Sequence, residues 1–245
     1  GIYSVGKEEI LLNPGQVRPV AATSMRGTPM SKIRAVIGAT DPEMLSIKDL
    51  FLSAGVELIQ PVADAGSAAP MLAYKIEGVT PQAGDVWVEC APCGGKAAIV
   101  AAGGTVVDHH FPGDPGFGEP PSEAFTASSV GQVYLFLVEK GFMRPLPQEK
   151  LKELVMVAGR DHCLPAFVRG MCGVPREEAR NFYMASLGPK EAIEEALSLL
   201  KASPMILGTN VIRDIRGISD LSPGGRLGAL LVPAAVLEGI AYVGW

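Results

Sequence analysis

The chain has 245 residues, of which 48% are hydrophobic, and its 21 basic and 26 acidic residues give a formal net charge of −5. This length allows one large domain or two of ordinary size, and the acidic balance argues against an extended nucleic-acid-binding face. The apolar stretches are interrupted before the roughly 20 residues that a membrane span needs, and the four cysteines are sparse for a disulfide scaffold. We therefore expect a cytoplasmic protein without a membrane segment.

Short apolar, β-branched runs alternate with amphipathic segments through the first half of the chain. Strands are predicted over residues 33–38, 56–62, 85–89 and 105–108. Between the first two strands, Thr40 or Asp41 caps a helix that has Pro42 at its first position, and Gly55 ends it. Another short helix is predicted over residues 96–102. This alternation predicts an α/β fold, a parallel sheet flanked by helices.

The second half of the chain is predicted to be mainly helical. Residues 111–121 hold four prolines and three glycines and form a loop. Helices are predicted over residues 130–140, 148–159, 175–184 and 190–201. For residues 148–159 the periodicity does not decide between a helix with one apolar face and a helix that passes into buried structure. We expect three parts: an N-terminal extension (1–29), a main domain (30–186), and a connector helix with a short C-terminal α/β segment (187–245).

Acidic and imidazole side chains directly follow three of the apolar runs. Glu89 follows Val86–Val88, Asp108-His109-His110 follows a β-branched run, and Asp161-His162 comes just after the apolar residues 154–159. The carboxyl ends of parallel strands lie along one edge of a sheet, where α/β folds place their ligands. We therefore expect these three segments to share one site.

The residue types at these positions suit a metal ion. Carboxylates are hard oxygen ligands and imidazole is an intermediate nitrogen ligand, a set that fits Mn²⁺, Fe²⁺ or Zn²⁺. The clustered residues are Glu89, Asp108, His109, His110, Asp161 and His162. Another interpretation treats Asp108-His109-His110 as a polar strand end whose imidazoles hydrogen-bond to loop backbone. The position of all three histidines after acidic residues favours a metal or phosphate site.

The cysteines offer a weaker alternative. Cys90-Ala91-Pro92-Cys93 has the spacing of a redox or zinc half-site, but no second pair with finger-like spacing accompanies it. Thiols from Cys90, Cys93 and Cys163 would shift the metal preference towards Zn²⁺ or Fe²⁺. A redox or sensor protein that uses this motif is a further hypothesis.

Four motifs follow one another along residues 33–185: Val88-Glu89, Val106–His110, Thr126–Ser129 ahead of a helix, and Val157–Asp161. This order resembles the DHH phosphoesterase superfamily, which includes RecJ-type exonucleases, oligoribonucleases, cyclic-dinucleotide phosphodiesterases and family II pyrophosphatases. The resemblance implies that His109 and Asp161 are metal ligands and that Glu89 stands where the family has a bridging aspartate. It also implies that His110 faces the phosphate.

The chain departs from this family in its first motif, which supplies a histidine and two aspartates to the metals. Residues 38–43 contain no histidine, and Asp41 is the candidate ligand that they offer. We therefore expect at most one tightly bound metal. In the C-terminal region, Gly224-Gly225-Arg226 lacks the histidine of the family's Gly-Gly-Gly-His motif. The resemblance therefore does not identify the substrate.

The resemblance leads us to expect a metal-dependent phosphohydrolase or phosphodiesterase that acts on a small phosphorylated or nucleotide substrate. Mn²⁺ is the expected metal, with Zn²⁺ or Fe²⁺ as alternatives. The expected metal ligands are Asp41, Glu89, Asp108, His109, Asp161 and His162. His110 and Arg160 would stabilise charge on the phosphoryl group. The alternative is a non-catalytic protein of the same fold that binds a metal or nucleotide, and a homodimer is left open.

Overall fold

The computed structural model describes residues 4–5, 8–9, 33–62, 69–206 and 212–244. The predicted N-terminal extension lies outside the described residues except for two short strands, β1 (Ser4–Val5) and β2 (Glu8–Glu9), which pair antiparallel. None of the described helices is long and apolar enough to cross a membrane.

The chain forms two compact units, Gly1–His162 and Cys163–Trp245. This boundary lies earlier than the one that we expected at residue 186. The physical reason is a break within the helix over residues 148–167, where Cys163 leaves helical geometry with φ −159° and ψ 67°. Beyond the break, Phe167 packs edge-on against Phe182 of the second unit.

The first unit contains a four-stranded parallel sheet with helices on both faces, so the predicted α/β fold is confirmed. Its strands are β3 (Arg34–Ile37), β4 (Glu57–Ile59), β5 (Val86–Val88) and β6 (Thr105–Val107). They are all parallel, in the spatial order β4-β3-β5-β6. The described helices are α1 (Pro42–Ser53), α2 (Ala69–Leu72), α3 (Lys96–Ala101), α4 (Ala124–Ala127), α5 (Ser129–Glu139) and α6 (Gln148–Phe167).

The two faces of the sheet bury alternate residues of the same strands. Ala35 and Ile37 of β3 join the core beneath α1, α5 and α6, whereas Val36 points to the opposite core with Trp87 of β5 and Ile99 of α3. All five residues are fully buried. Successive side chains of a strand point to opposite faces, and a strand that is covered on both faces therefore reads as a continuous apolar run.

The second unit is mainly helical. Its helices are α7 (Arg176–Ala185), α8 (Lys190–Ala202) and α9 (Leu231–Glu238), and its strands are β7 (Ile212–Asp214) and β8 (Ala241–Val243). β7 and β8 pair in parallel, as expected for a short C-terminal α/β segment. Gly239 ends α9 in the left-handed conformation, with φ 65°, which glycine adopts without steric cost.

Candidate metal centre

Two strand ends bring an acid and an imidazole together at the carboxyl edge of the sheet. β5 and β6 are parallel neighbours with Val88 in register with Val107, so the residues that follow them leave the sheet side by side. The backbone N–H of Glu89 donates to the carbonyl of Val107 over 2.9 Å. Glu89 Oε1 consequently lies 3.4 Å from Nε2 of His109.

The third segment at this site is a helix, so two strand ends and one helix meet here instead of three strand ends. Asp161 lies within α6. Leu154 and Ala158 are buried in the core, and Asp161 follows Ala158 by three residues, which places it on nearly the same face of the helix. Asp161 Oδ2 lies 3.0 Å from Nε2 of His109.

Glu43 is a fourth member that we had not predicted. It lies in the first turn of α1, where its Oε1 accepts a hydrogen bond from the N–H of Val130 at 2.8 Å. Its Oε2 lies 3.7 Å from Nε2 of His109. Glu43, Glu89, His109 and Asp161 each offer one ligand atom, and these four atoms all lie within 4.8 Å of one another, so the group could hold a metal ion. The predicted convergence of the last three residues is therefore observed.

The group is largely shielded from water. The side chains of Glu43, Glu89 and His109 are 1%, 8% and 8% exposed, and that of Asp161 is 28% exposed. Within the part of the chain that the structure describes, Glu43 Oε2, Glu89 Oε1 and His109 Nε2 have no well-aligned hydrogen-bond partner. Buried polar atoms are nearly always hydrogen-bonded, and an exception can mark the position of an ion. The residues present therefore fit a bound cation.

The electrostatics of the group are unbalanced without a cation. Burial lowers the pKa of His109, but the carboxylates of Asp161, Glu43 and Glu89 near its Nε2 outweigh this effect and raise the pKa to about 12. Burial raises the pKa of Glu43 well above its usual range, and the charges of Glu89 and Asp161 add to this although His109 opposes it. Three carboxylates thus face one imidazole, and a metal ion would stabilise their charged forms.

The backbone at Glu89 adopts a conformation that residues with a side chain rarely take. Its φ is 51°, in the left-handed region, at a cost on the order of 1–3 kcal/mol. The carbonyl oxygen of Glu89 also lies against Gly38, where a Cβ atom would come within 2.3 Å of it. Strained backbone of this kind clusters at functional sites, and here it occurs at one of the four potential ligands.

Asp108, which we expected among the metal ligands, is not brought into the group. Its Oδ1 accepts hydrogen bonds from the backbone N–H groups of His109 and His110, and its Oδ2 accepts one from the Tyr74 hydroxyl at 2.9 Å. Lys96 Nζ lies 2.8 Å from the same Oδ2. Burial raises the pKa of Asp108, but the hydrogen bonds from His110 and Lys96 outweigh it and hold the pKa well below its usual range. The carboxylate therefore organises the strand end.

His110 lies beside the group, and one of its ring nitrogens is hydrogen-bonded to Asp108. Its Nδ1 is 2.8 Å from Asp108 Oδ1, and its side chain is 47% exposed. The hydrogen bond with Asp108 raises the pKa of His110 despite burial. A second set of potential ligands, formed by Glu89, His109 and His110, overlaps the first set in two of its three members.

Asp41 and His162, also expected as ligands, are not in either set. Asp41 is the N-cap of α1, and its Oδ1 accepts a 2.7 Å hydrogen bond from the N–H of Met44. Burial raises the pKa of Asp41, the hydrogen bond from Met44 opposes this, and the nearby charges of Glu89 and Asp161 raise the pKa further. His162 contacts the far side of the imidazole, with its Nδ1 3.4 Å from Nδ1 of His109.

Arg160 precedes Asp161 on α6 and is partly buried. Adjacent residues of an α-helix are rotated by about 100° around its axis. The side chain of Arg160 therefore leaves α6 from a different part of the helix surface than that of Asp161.

The cysteines take no part in either set of potential ligands. Cys90 is buried and its Sγ contacts the carbonyl of Val36, while Cys93 is exposed and contacts the carbonyl of Lys75. Among the described residues, the zinc or redox half-site that was the weaker alternative is therefore not assembled with the acidic group.

No family model, no curated protein and no solved structure matches this chain.

Proposed function

We propose that this chain is a metal-dependent phosphohydrolase that acts on a small phosphorylated or nucleotide substrate. The observation that carries the proposal is the buried group of Glu43, Glu89, His109 and Asp161, in which three ligand atoms lack a well-aligned hydrogen-bond partner among the described residues. Burying several carboxylates without compensation is costly. A divalent cation would compensate their charge and bind the free ligand atoms.

The motif order supports phosphate as the substrate chemistry. The resemblance to DHH phosphoesterases implies a metal role for Glu89, His109 and Asp161, and these residues lie together. Glu43 adds a carboxylate from the segment that corresponds to the first motif of that family. The proposed site therefore does not depend on Asp41, whose side chain caps α1.

We propose Mn²⁺ as the metal, ahead of Zn²⁺ or Fe²⁺. Three carboxylates and one imidazole form an oxygen-rich set, which suits Mn²⁺, and the softer thiols of Cys90 and Cys93 are hydrogen-bonded elsewhere. A bound divalent ion would lower the pKa of a coordinated water and polarise a phosphoryl oxygen.

His110 is the residue that we propose for phosphate contact. Asp108 engages its Nδ1, so Nε2 remains available to a ligand. The raised pKa of His110 favours the cationic form, which attracts an anionic group and can donate a hydrogen bond to it. Arg160 is proposed as a second positive charge near the substrate.

The proposed site holds one ion tightly. The two sets of potential ligands share Glu89 and His109, so they cannot both be fully occupied. A carboxylate can bridge two ions, but His109 has only Nε2 on the side of the carboxylates. This arrangement also favours a second candidate function, a non-catalytic protein that binds a metal or nucleotide, because two-metal phosphoryl transfer uses a pair of ions about 3.5–4 Å apart.

Metal analysis followed by a turnover screen tests the proposal. The purified chain is loaded with Mn²⁺ and assayed for phosphate release from pyrophosphate, mononucleotides, dinucleotides and a chromogenic phosphodiester, with Asp161→Ala as the control. We expect slow hydrolysis of at least one substrate in the wild type and none in the variant. Metal binding without turnover would support the non-catalytic candidate. The absence of metal binding would refute the phosphohydrolase and the metal-binding form of the non-catalytic candidate.

A further inference from the structure

The two ring nitrogens of His109 face different surroundings. Nε2 lies 3.0–3.7 Å from the carboxylates of Asp161, Glu89 and Glu43. Nδ1 lies 3.4 Å from Nδ1 of His162. Two consecutive residues of α6, Asp161 and His162, therefore hold opposite sides of one imidazole ring.

The direction of the hydrogen bond between His162 and His109 follows from the position of the Glu119 backbone carbonyl. Nε2 of His162 lies 2.9 Å from the carbonyl oxygen of Glu119. A carbonyl oxygen only accepts, so Nε2 of His162 must carry the proton, and in the neutral ring Nδ1 is then an acceptor. The hydrogen bond between the two imidazoles therefore requires a proton on Nδ1 of His109. In the neutral form of His109, which is the form that binds a metal, the lone pair is then on Nε2, which faces the carboxylates.

We propose that His162, oriented by the Glu119 carbonyl, is a positioning residue that fixes the tautomer and ring orientation of His109 for metal binding through Nε2. The inference rests on the proposed metal site and assigns to His162 a role behind the site instead of the ligand role first expected. Metal-binding histidines commonly donate their other ring N–H to a partner of this kind, which fixes their tautomer.

The packing around His109 supports a fixed ring. Gly116 of the neighbouring loop donates its N–H to the carbonyl of Asp108 at 3.2 Å. A Cβ atom at Gly116 would come within 2.9 Å of the Cβ of His109, so the loop lies directly on this residue. The same loop supplies the Glu119 carbonyl to His162, and the two imidazoles are tilted by 34° with centroids 5.6 Å apart.

Ring-nitrogen NMR tests the proposal directly, because the chain has only three histidines. Long-range ¹H–¹⁵N spectra of the ¹⁵N-labelled, Zn²⁺-loaded protein are assigned with His110→Asn and His162→Asn variants. We expect the protonated nitrogen to be Nδ1 in His109 and Nε2 in His162. A proton on Nε2 of His109, or metal coordination through its Nδ1, would overturn the inference.

Variant affinities provide an independent test with Zn²⁺ alone as the probe. His162→Leu removes the acceptor and should weaken Zn²⁺ binding by about 10- to 100-fold. His162→Asn offers an amide oxygen at the position of Nδ1 and should restore most of the affinity, whereas Glu153→Leu, on the exposed side of the same helix, should have no effect. The spectrum of the wild type decides the question if His162→Leu does not fold.

The two proposals can fail separately. A wild type that binds no Zn²⁺ would refute the metal site itself. A wild type that binds Zn²⁺ normally, together with unchanged affinity in His162→Leu, would refute only the positioning role.

Discussion

The carboxylate of Glu43 lies 3.7 Å from Nε2 of His109, although Glu43 is in the first turn of α1 and His109 follows β6. Glu43→Gln keeps an oxygen that can accept the N–H of Val130 but removes one negative charge. We expect Mn²⁺ affinity to fall at least about tenfold, or 1.4 kcal/mol, by isothermal titration calorimetry. The free energy of unfolding of the metal-free protein should be unchanged or higher, because a buried charge is removed.

The matched control is Glu149→Gln, an exposed glutamate in the first turn of α6. It should leave Mn²⁺ affinity unchanged. An equal loss of affinity in the two variants would argue against Glu43 as a ligand.

Substitutions at Asp41 and Asp161 should have different effects on stability and on metal binding. Asp41→Ala removes the N-cap of α1, so we expect the free energy of unfolding to fall by about 1 kcal/mol with little change in Mn²⁺ affinity. Asp161→Ala removes a potential ligand and should abolish tight binding with a smaller effect on folding. Urea denaturation and calorimetry on both variants measure this difference. A larger loss of metal affinity in Asp41→Ala than in Asp161→Ala would contradict the assignment.

His109→Ala should abolish metal binding and leave the fold largely intact. The neighbouring core is carried by the buried Val107 of β6, while the ring of His109 mainly faces the carboxylates. Calorimetry with Mn²⁺ and circular dichroism measure the two properties. Unchanged affinity in this variant would remove His109 from the site.

Asp85 directly precedes β5, at the end of the sheet opposite to the proposed metal site. Its pKa leads to a prediction about how stability depends on pH. Burial raises its pKa, but hydrogen bonds from Arg34 and Gln82 outweigh this and lower the pKa. A carboxyl whose pKa is lower in the folded state adds stability above its unfolded pKa of about 3.9, and this stability is lost as the pH falls further.

Asp85→Asn should therefore lower the free energy of unfolding by about 2 kcal/mol at pH 7. The difference from the wild type should shrink as the pH falls below about 4. Mn²⁺ affinity should not change. Asp49→Asn, an exposed position on α1, is the control, and a deficit that persisted at low pH would rule out the proposed ionic contribution.

The elements of the main sheet were predictable from the sequence because local signals were strong. The observed α1 begins at Pro42, as predicted, and Asp41, one of the two predicted candidates, is its N-cap. The β-branched run at Thr105–Val107 forms β6. The strand ends placed Glu89 and His109 at one edge of the sheet, since parallel strands share their direction.

The side-chain partners were less predictable, because sequence spacing does not give side-chain direction. Asp108 was grouped with the ligands, yet its carboxylate is bound by the N–H groups that follow it and by Lys96. The signal for Glu43 was its place two residues after the N-cap, in the first turn of a helix that begins at the same sheet edge. Its approach to His109 depends on α5, which no local pattern reveals.

The most direct test of the account is the stoichiometry of Mn²⁺ bound to the wild-type chain, compared with that of Asp161→Ala. Isothermal titration calorimetry and elemental analysis after dialysis should give about one tightly bound ion per wild-type chain and none in the variant. Two tightly bound ions with rapid phosphodiester hydrolysis would mean that other residues complete a two-metal site. Binding of no ion, or equal binding by the two proteins, would contradict the assignment of Glu43, Glu89, His109 and Asp161 as a metal site.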